Sequence, residues 1–239
     1  MGSKPFQFKH FSVSQNQSTH KVGTDGVLLG AWANIREDDQ SLLDIGTGSG
    51  VIALMLAQRT SERARIHAVE IEAQDAEQAK ENVLRSPWPQ KIRIHHTPLQ
   101  QYFPESQYDL IITNPPFFVN SWLPPEKKRS QARHTELLSF EDLLVNVRRL
   151  LKKQGRVALI LPYAESLTFT SLARGFHLFP IRKTTFRSRA NKPIERVLLE
   201  LSSEGRLESA TELTLYDAAS SETWSDDYIH LTRDFYLNT

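Results

Sequence analysis

The chain has 239 residues, 39% hydrophobic and 24% charged, which allows one large domain or two small ones with a sizeable core. Lys plus Arg number 29 and Asp plus Glu 28, which excludes a uniformly basic or acidic protein. Cysteine is absent, which excludes a disulfide framework, a thiolate nucleophile and a Cys-ligated zinc site.

The N-terminal arm carries Lys4, Lys9 and Lys21 interleaved with Phe6, Phe8 and Phe11, a mixture that suits phosphate contact and base stacking. It has no apolar stretch of signal-peptide type, and no run approaches a membrane span, so a cytoplasmic, soluble protein is expected. Residues 26–34 read as a helix with Thr24 or Asp25 as its N-cap. Ser41–Ile45 reads as a strand that ends in glycines, followed by a helix over Val51–Gln58. Ile66–Glu70 is a second strand, and Ala73–Leu84 a helix with a polar face. Ile92–His96 and Tyr108–Thr113 are further strands, the latter stopping at Asn114-Pro115-Pro116. Apolar positions at 140, 143, 144, 147, 150 and 151 have helical spacing. Arg156–Leu161 follows as a strand after a Gly155 cap, then a helix over 164–174 capped by Gly175, and a late strand over 196–201. Alternation of this kind implies a mostly parallel sheet with helices on both faces.

Charge and glycine are both uneven. Residues 204–239 hold eight acids and two bases, so the body of the chain is basic. The stretch 182–196 has six Lys/Arg and one acid. Six of the ten glycines (Gly23, Gly26, Gly30, Gly46, Gly48 and Gly50) fall within 28 residues, as if framing one site from two sides.

Three segments carry chemistry. In Asp44-Ile45-Gly46-Thr47-Gly48-Ser49-Gly50, alternate glycines after a strand permit a sharp turn and let a ligand lie against backbone. A dinucleotide fingerprint would need glycine at 51, where Val51 stands. Glu70, at the end of the next strand, can accept hydrogen bonds from two ribose hydroxyls. In Asn114-Pro115-Pro116-Phe117 the prolines remove two N–H donors, so carbonyls dominate. The Asn114 oxygen and the Pro115 carbonyl can each accept one N–H of an exocyclic amine, and Phe117 offers a stacking face. The third segment is Lys21-Val22-Gly23-Thr24-Asp25-Gly26-Val27-Leu28-Leu29-Gly30-Ala31-Trp32. His95 and His96 are adjacent and so point to opposite strand faces, and no metal site is expected.

The glycine loop resembles that of S-adenosylmethionine-dependent methyltransferases, and the Asn-Pro-Pro-Phe segment resembles their amino-methyltransferase signature. With KVGTDGVLLGAW, AVEIE, RSQARHTELLSFEDLL and the terminal YIHLTRDFYL, the chain from about Phe6 to Leu237 is similar to the bacterial tRNA1(Val) adenine-37 N6-methyltransferases. That resemblance implies a Rossmann-like seven-stranded class I sheet, mostly parallel with its last strand antiparallel, forming a single domain over residues 1–239. Within it, 1–35 form an arm and cofactor-covering helix, 36–203 the catalytic core, and 204–239 an acidic extension packed as a strand and helix. It implies S-adenosyl-L-methionine held by Lys21, Thr24, Asp25, Asp44, Gly46, Gly48, Gly50, Glu70, Ile71 and Leu99. Asn114, Pro115, Pro116 and Phe117 would orient the target adenine of a tRNA anticodon stem-loop. Relatives usually carry an acid after the third strand, whereas this chain has Thr97-Pro98-Leu99. Arg133, Arg187, Arg189 and Lys192 are the expected tRNA phosphate contacts. The competing readings are an rRNA amino-methyltransferase, a release-factor glutamine N5-methyltransferase and a non-enzymatic RNA-binding module. Release-factor enzymes generally have Tyr at the Phe117 position and a larger N-terminal domain. An RNA-binding module would need a broken cofactor or amine site.

Overall fold

Short apolar runs without polar alternation need cover on both faces, and here they form the middle of one sheet. The structure, a computed structural model, describes residues 4–16, 18, 21–115, 138–205, 209–218, 220 and 222–237. A small hairpin, β1 (Phe6–Gln7) and β2 (Ser12–Val13), precedes α1 (Thr24–Trp32). Then come β3 (Ser41–Ile45), α2 (Val51–Arg59), β4 (Arg65–Glu70), α3 (Ala73–Arg85), β5 (Ile92–His96), a 3-10 turn (Leu99–Gln101) and β6 (Tyr108–Thr113). The chain continues through α4 (Phe140–Leu150), β7 (Leu151–Pro162), α5 (Tyr163–Gly175), β8 (Phe179–Arg187), β9 (Arg196–Ser202), β10 (Ser209–Thr214) and α6 (Asp226–Thr232).

The large sheet has the order β10-β8-β9-β7-β6-β3-β4-β5. β9 runs antiparallel to both neighbours, and all other pairs are parallel. The expected seven strands are present, and β10 adds an eighth at the edge, drawn from the acidic C-terminal segment. Alternate residues feed two cores. Leu42, Ile66, Ala68, Ile112 and Ala158 pack under α1, α2 and α6, while Leu43, Val69, Ile111 and Leu159 pack under α4 and α5. The covering helices follow the local rules. Ser139 caps α4 by accepting the Asp142 N–H at 3.0 Å, and Leu143, Leu144, Val147 and Leu150 line its buried face.

Several local expectations are corrected. Gly155 does not cap a helix. It lies inside β7, in a bulge where Leu151 faces Tyr108 but Arg156 already faces Leu110. A Cβ there would stand 2.8 Å from the Tyr108 carbonyl oxygen. Gly175 is the last residue of α5, and the left-handed residue closing that helix is His177, at φ 55°. The Leu178 N–H bonds the Ala173 carbonyl and the His177 N–H bonds the Arg174 carbonyl, the Schellman pattern. The aromatics of the N-terminal arm are not free for stacking. Phe8 and Phe11 are buried, their rings stacked at 4.5 Å, with Phe8 on Tyr236 and Phe11 edge-on to Trp88. The Lys9 N–H bonds the Phe235 carbonyl at 2.8 Å, so the two ends of the chain close on each other.

His95 joins a polar cluster under the sheet. The His67 Nδ1 lies 2.7 Å from both the Tyr102 and the Tyr108 hydroxyls, and the His95 ring packs on His67 and Tyr102. Burial pushes the His95 imidazole down to about 4, with His67 and Arg93 adding to the effect. Between pH 6.5 and about 4 the unfolded chain therefore takes up a proton that the folded chain refuses. Stability is expected to fall across that window. His95→Phe should flatten that part of the curve relative to the unaltered chain in urea unfolding from pH 7.5 to 4. Parallel curves would contradict the assignment.

Candidate active site

Because β3, β4, β6 and β7 are parallel, the loops leaving their carboxyl ends share one edge of the sheet, the usual ligand edge of such folds. The loop after β3 turns through three left-handed glycines: Gly46 at φ 69°, Gly48 at 54° and Gly50 at 84°. Other residues pay a steric penalty in that region, so the alternation follows directly from the backbone path. A Cβ on Gly46 or Gly48 would meet no atom within 4 Å, so the loop is open on its outer side. The Gly46 and Thr47 N–H groups bond the Val69 carbonyl at 2.9 and 3.2 Å, tying the loop to the end of β4.

Two buried carboxylates flank this loop. One Asp44 oxygen accepts from the Thr47 hydroxyl at 2.6 Å and the Ala53 N–H at 3.2 Å, fixing the loop to α2. The other Asp44 oxygen is buried with no hydrogen-bond partner. Burial pushes this carboxyl up to about 7, against the pull of Thr47 and Ala53, and the Glu70 charge adds to the rise. Glu70 accepts from the Gly48 N–H at 2.8 Å with one oxygen, and from the Ile71 and Glu72 N–H groups at 2.8 and 3.0 Å with the other. Ile71 is 41% exposed beside it, an apolar surface at the loop. Leu99 is 5% exposed, its side chain packed into the core that contains Val69 and Tyr102.

Asn114 emerges next to Gly46. Ile45 and Thr113 are register partners at the ends of β3 and β6, and the Thr113 hydroxyl donates to the Ile45 carbonyl at 2.9 Å. The two following residues thus leave adjacent strands, about 4.8 Å apart. Asn114 is half-buried and Pro115 buried. Pro116, Phe117 and Arg133 lie outside the described residues.

The glycines of α1 do a different job from those of the loop. Gly30 faces α2 so closely that a Cβ would stand 2.6 Å from the Met55 sulfur, and Gly26 faces Val51. They let two helices run side by side, which sets the start of α1 beside the start of α2 and hence beside Gly50. The N-cap of α1 is Gly23, with no side-chain hydrogen bond. Thr24 is the first helical residue, and Asp25 instead accepts from Arg196 Nε at 2.8 Å, an ion pair between α1 and β9. Lys21 is exposed just before this turn.

The sequence does not announce Asn82, in the last turn of α3 and 1% exposed. Its amide nitrogen donates to the Ser14 and Ser49 carbonyls, both at 2.9 Å, and its oxygen accepts the Ser14 N–H at 2.9 Å. One side chain thereby ties the N-terminal arm to the glycine loop. Asp75 and Gln78 are buried on the same helix, so a polar residue on that face does not by itself single out Asn82.

The basic stretch 182–196 divides into paired and exposed side chains. Arg182 stacks on Trp32 at 3.6 Å and pairs with Glu200, inside the fold. Arg187 donates to the Ala190 carbonyl and pairs with Glu212, so its guanidinium braces the β8–β9 turn rather than standing free. Arg189 and Lys192 are exposed on that turn. The turn follows the carboxyl end of β8, which runs parallel to β7, so it lies on the same edge as Asn114 and the glycine loop. Among the described residues, no group of three or more His, Asp or Glu side chains is arranged to hold a metal ion, and no helix is long and apolar enough to cross a membrane.

Residues 26–164 match the methyltransferase small domain family. The chain is 41% identical to the tRNA1(Val) (adenine(37)-N6)-methyltransferase of Parabacteroides distasonis over 240 residues, 99% of each protein. It is also 41% identical, with the same coverage, to the protein of that name from Trichodesmium erythraeum. Among solved structures it resembles a predicted O-methyltransferase from Agrobacterium tumefaciens, with a TM-score of 0.67 at 18% identity, covering 88% of this chain and 96% of that one. That likeness concerns the fold, while the near-complete alignments carry the closer kinship: the chain belongs to the tRNA1(Val) (adenine(37)-N6)-methyltransferase family.

Proposed function

We propose that this protein transfers a methyl group from S-adenosylmethionine to N6 of adenine 37 in tRNA1(Val). The observation that carries the reading is the pairing of Ile45 with Thr113, which brings the glycine loop and Asn114 out of the sheet side by side. The residues present fit the cofactor. Gly46 and Gly48 leave open space over the loop, Asp44 keeps a buried oxygen without a partner, and Glu70 stands at the end of β4. A carboxylate has about four acceptor positions. Three on Glu70 are taken by backbone N–H groups, so a ribose diol would compete with Gly48 for the remainder.

When bound, S-adenosylmethionine supplies an electrophilic methyl group. The protein's task is to aim a poor nucleophile at it. The adenine amine is weak because its lone pair is conjugated into the ring. The Asn114 oxygen and the Pro115 carbonyl, as two acceptors, draw the nitrogen toward a tetrahedral shape and turn its lone pair toward the methyl donor. No general base is obligatory, because the methylated amine loses its proton after attack.

Nucleoside mass spectrometry of tRNA from a strain lacking the protein tests the assignment. Loss of N6-methyladenosine at position 37 of tRNA1(Val), restored by the purified protein and cofactor, is expected. Unchanged tRNA, with label from the cofactor entering only rRNA or release factor, would overturn it. The loop latch gives a second test. Asn82→Ala is expected to weaken S-adenosylmethionine binding about tenfold, roughly 1.4 kcal/mol, in calorimetry. An unchanged Kd would confine Asn82 to holding the N-terminal arm.

A further inference from the structure

We propose that the groove between α5 and β8 is the track on which a phosphate strand of the tRNA anticodon stem docks, with Arg174 and Lys183 as its phosphate contacts. The proposal rests on the tRNA reading above and extends it from the target base to the body of the substrate.

The groove has a volume of about 270 Å³ and is lined by Ser166, Thr170, Ser171, Arg174 and Lys183, among others. Its two cations differ from their neighbours. Arg182 is held by Glu200, Arg187 by Glu212 and Arg196 by Asp25. Arg174 and Lys183 pair with no carboxylate among the described residues. The Ser166 and Thr170 hydroxyls donate within α5, to the Tyr163 and Ser166 carbonyls, so the groove offers phosphate oxygens two cations without an acid partner and the Ser171 hydroxyl.

Direction matters as much as charge. α5 begins at Tyr163, just past the carboxyl end of β7, and runs back along the sheet away from the active-site edge. Tyr163, Leu167, Thr170, Ser171 and Arg174 recur at helical spacing, so one stripe carries an exposed aromatic near the active site and a cation at the far end. Lys183 lies across the groove, in the middle of β8, four residues below Arg187 and on the same strand face. Arg189 and Lys192 continue the cations to the active-site edge. From Tyr163 to Arg174 the helix rises about 16 Å at ~1.5 Å per residue. At ~2.8 Å of rise per base pair in an A-form RNA stem, that is about six nucleotides. A strand whose adenine sits at Asn114 therefore passes Arg174 beyond the loop, in the paired stem.

The test compares Arg174→Gln/Lys183→Gln with the unaltered protein, measuring tRNA affinity from 50 to 200 mM salt. Each lost phosphate contact should reduce the slope of log K against log salt by about 0.7–0.9. The double variant should thus lose about 1.5 from the slope and bind at least tenfold more weakly at low salt. S-adenosylmethionine affinity by calorimetry checks that the variant is folded. Binding of an RNA hairpin cut to the loop and two base pairs should be equal for both proteins, because it does not reach the groove. If the unaltered protein methylates tRNA but the slopes coincide, the groove assignment falls and the tRNA reading stands. If the unaltered protein methylates no tRNA, both fall together.

Discussion

Asn114→Ala is expected to lower the rate of methyl transfer by about 10²–10³, the usual cost of removing one group that stabilises a transition state. The Kd for S-adenosylmethionine should stay within about threefold. Asn114 is half-buried at the end of β6 and belongs to neither core, so its truncation leaves the sheet intact. The glycine loop keeps its own supports, from Val69, Glu70 and Asp44, none of which uses Asn114. On the proposed reading of the site, what disappears is one of two acceptors on the amine. An acceptor matters most as the nitrogen becomes tetrahedral and its N–H bonds grow more acidic, so its loss should appear in kcat and in kcat/KM alike. Single-turnover methylation with saturating cofactor reads the rate, and calorimetry reads the Kd for S-adenosylmethionine. Equal losses of rate and cofactor affinity would mean that Asn114 supports the loop rather than the base.

What the sequence disclosed follows from the range of the interactions involved. The D-x-G-x-G-x-G loop is legible because a left-handed turn is a property of its own residues: Gly46, Gly48 and Gly50 all prove left-handed. The central strands are legible because strands buried on both faces are apolar throughout. β8 is hidden, because Arg182, Lys183 and Arg187 read as a basic surface run. Only the structure shows Arg182 against Trp32 and Glu200, while Thr184 and Phe186 face the core. Asp25 reads as a helix cap because nothing local reveals Arg196, 171 positions away. Phe8 and Phe11 read as stacking residues because their partners, Tyr236 and Trp88, are far along the chain. Asn82 lacks any short-range signal, since each of its bonds goes to a distant backbone group. The cofactor side of the site is thus largely local chemistry. The Asn82 latch and the pairing of the arginines in 182–196 are tertiary.

Arg156→Met, at a distance from the active-site edge, is expected to cost about 3–5 kcal/mol of folding stability. The guanidinium is 1% exposed. It donates to both Asp39 oxygens, at 3.2 and 2.7 Å, to Glu200 at 3.0 Å and to the Asn34 carbonyl at 2.7 Å. Glu200 is bound from its other side by Arg182, which also donates to the Trp32 carbonyl. The network thus fastens the end of α1 to β7, β8 and β9. Removing Arg156 alone strands Asp39 without its bidentate partner and leaves Glu200 with half of its own, in a region where both acids are almost fully buried. Burying an unpaired carboxylate is what makes the loss large, since a buried pair can be worth little compared with an apolar replacement of the same shape. That distinction supplies the control. Adding Asp39→Asn and Glu200→Gln to Arg156→Met removes the stranded charges and should recover more than half of the lost stability in urea unfolding, a coupling expected of contacting residues. Arg156→Lys should fall between the two, because it keeps the charge but not the fork. With ordinary domain stability of about 5–15 kcal/mol, Arg156→Met can approach unfolding at 37 °C, and the triple variant then provides the measurable baseline. A single variant within about 1 kcal/mol of the unaltered protein, or a triple variant no better than the single, would show that the network contributes geometry and not stability.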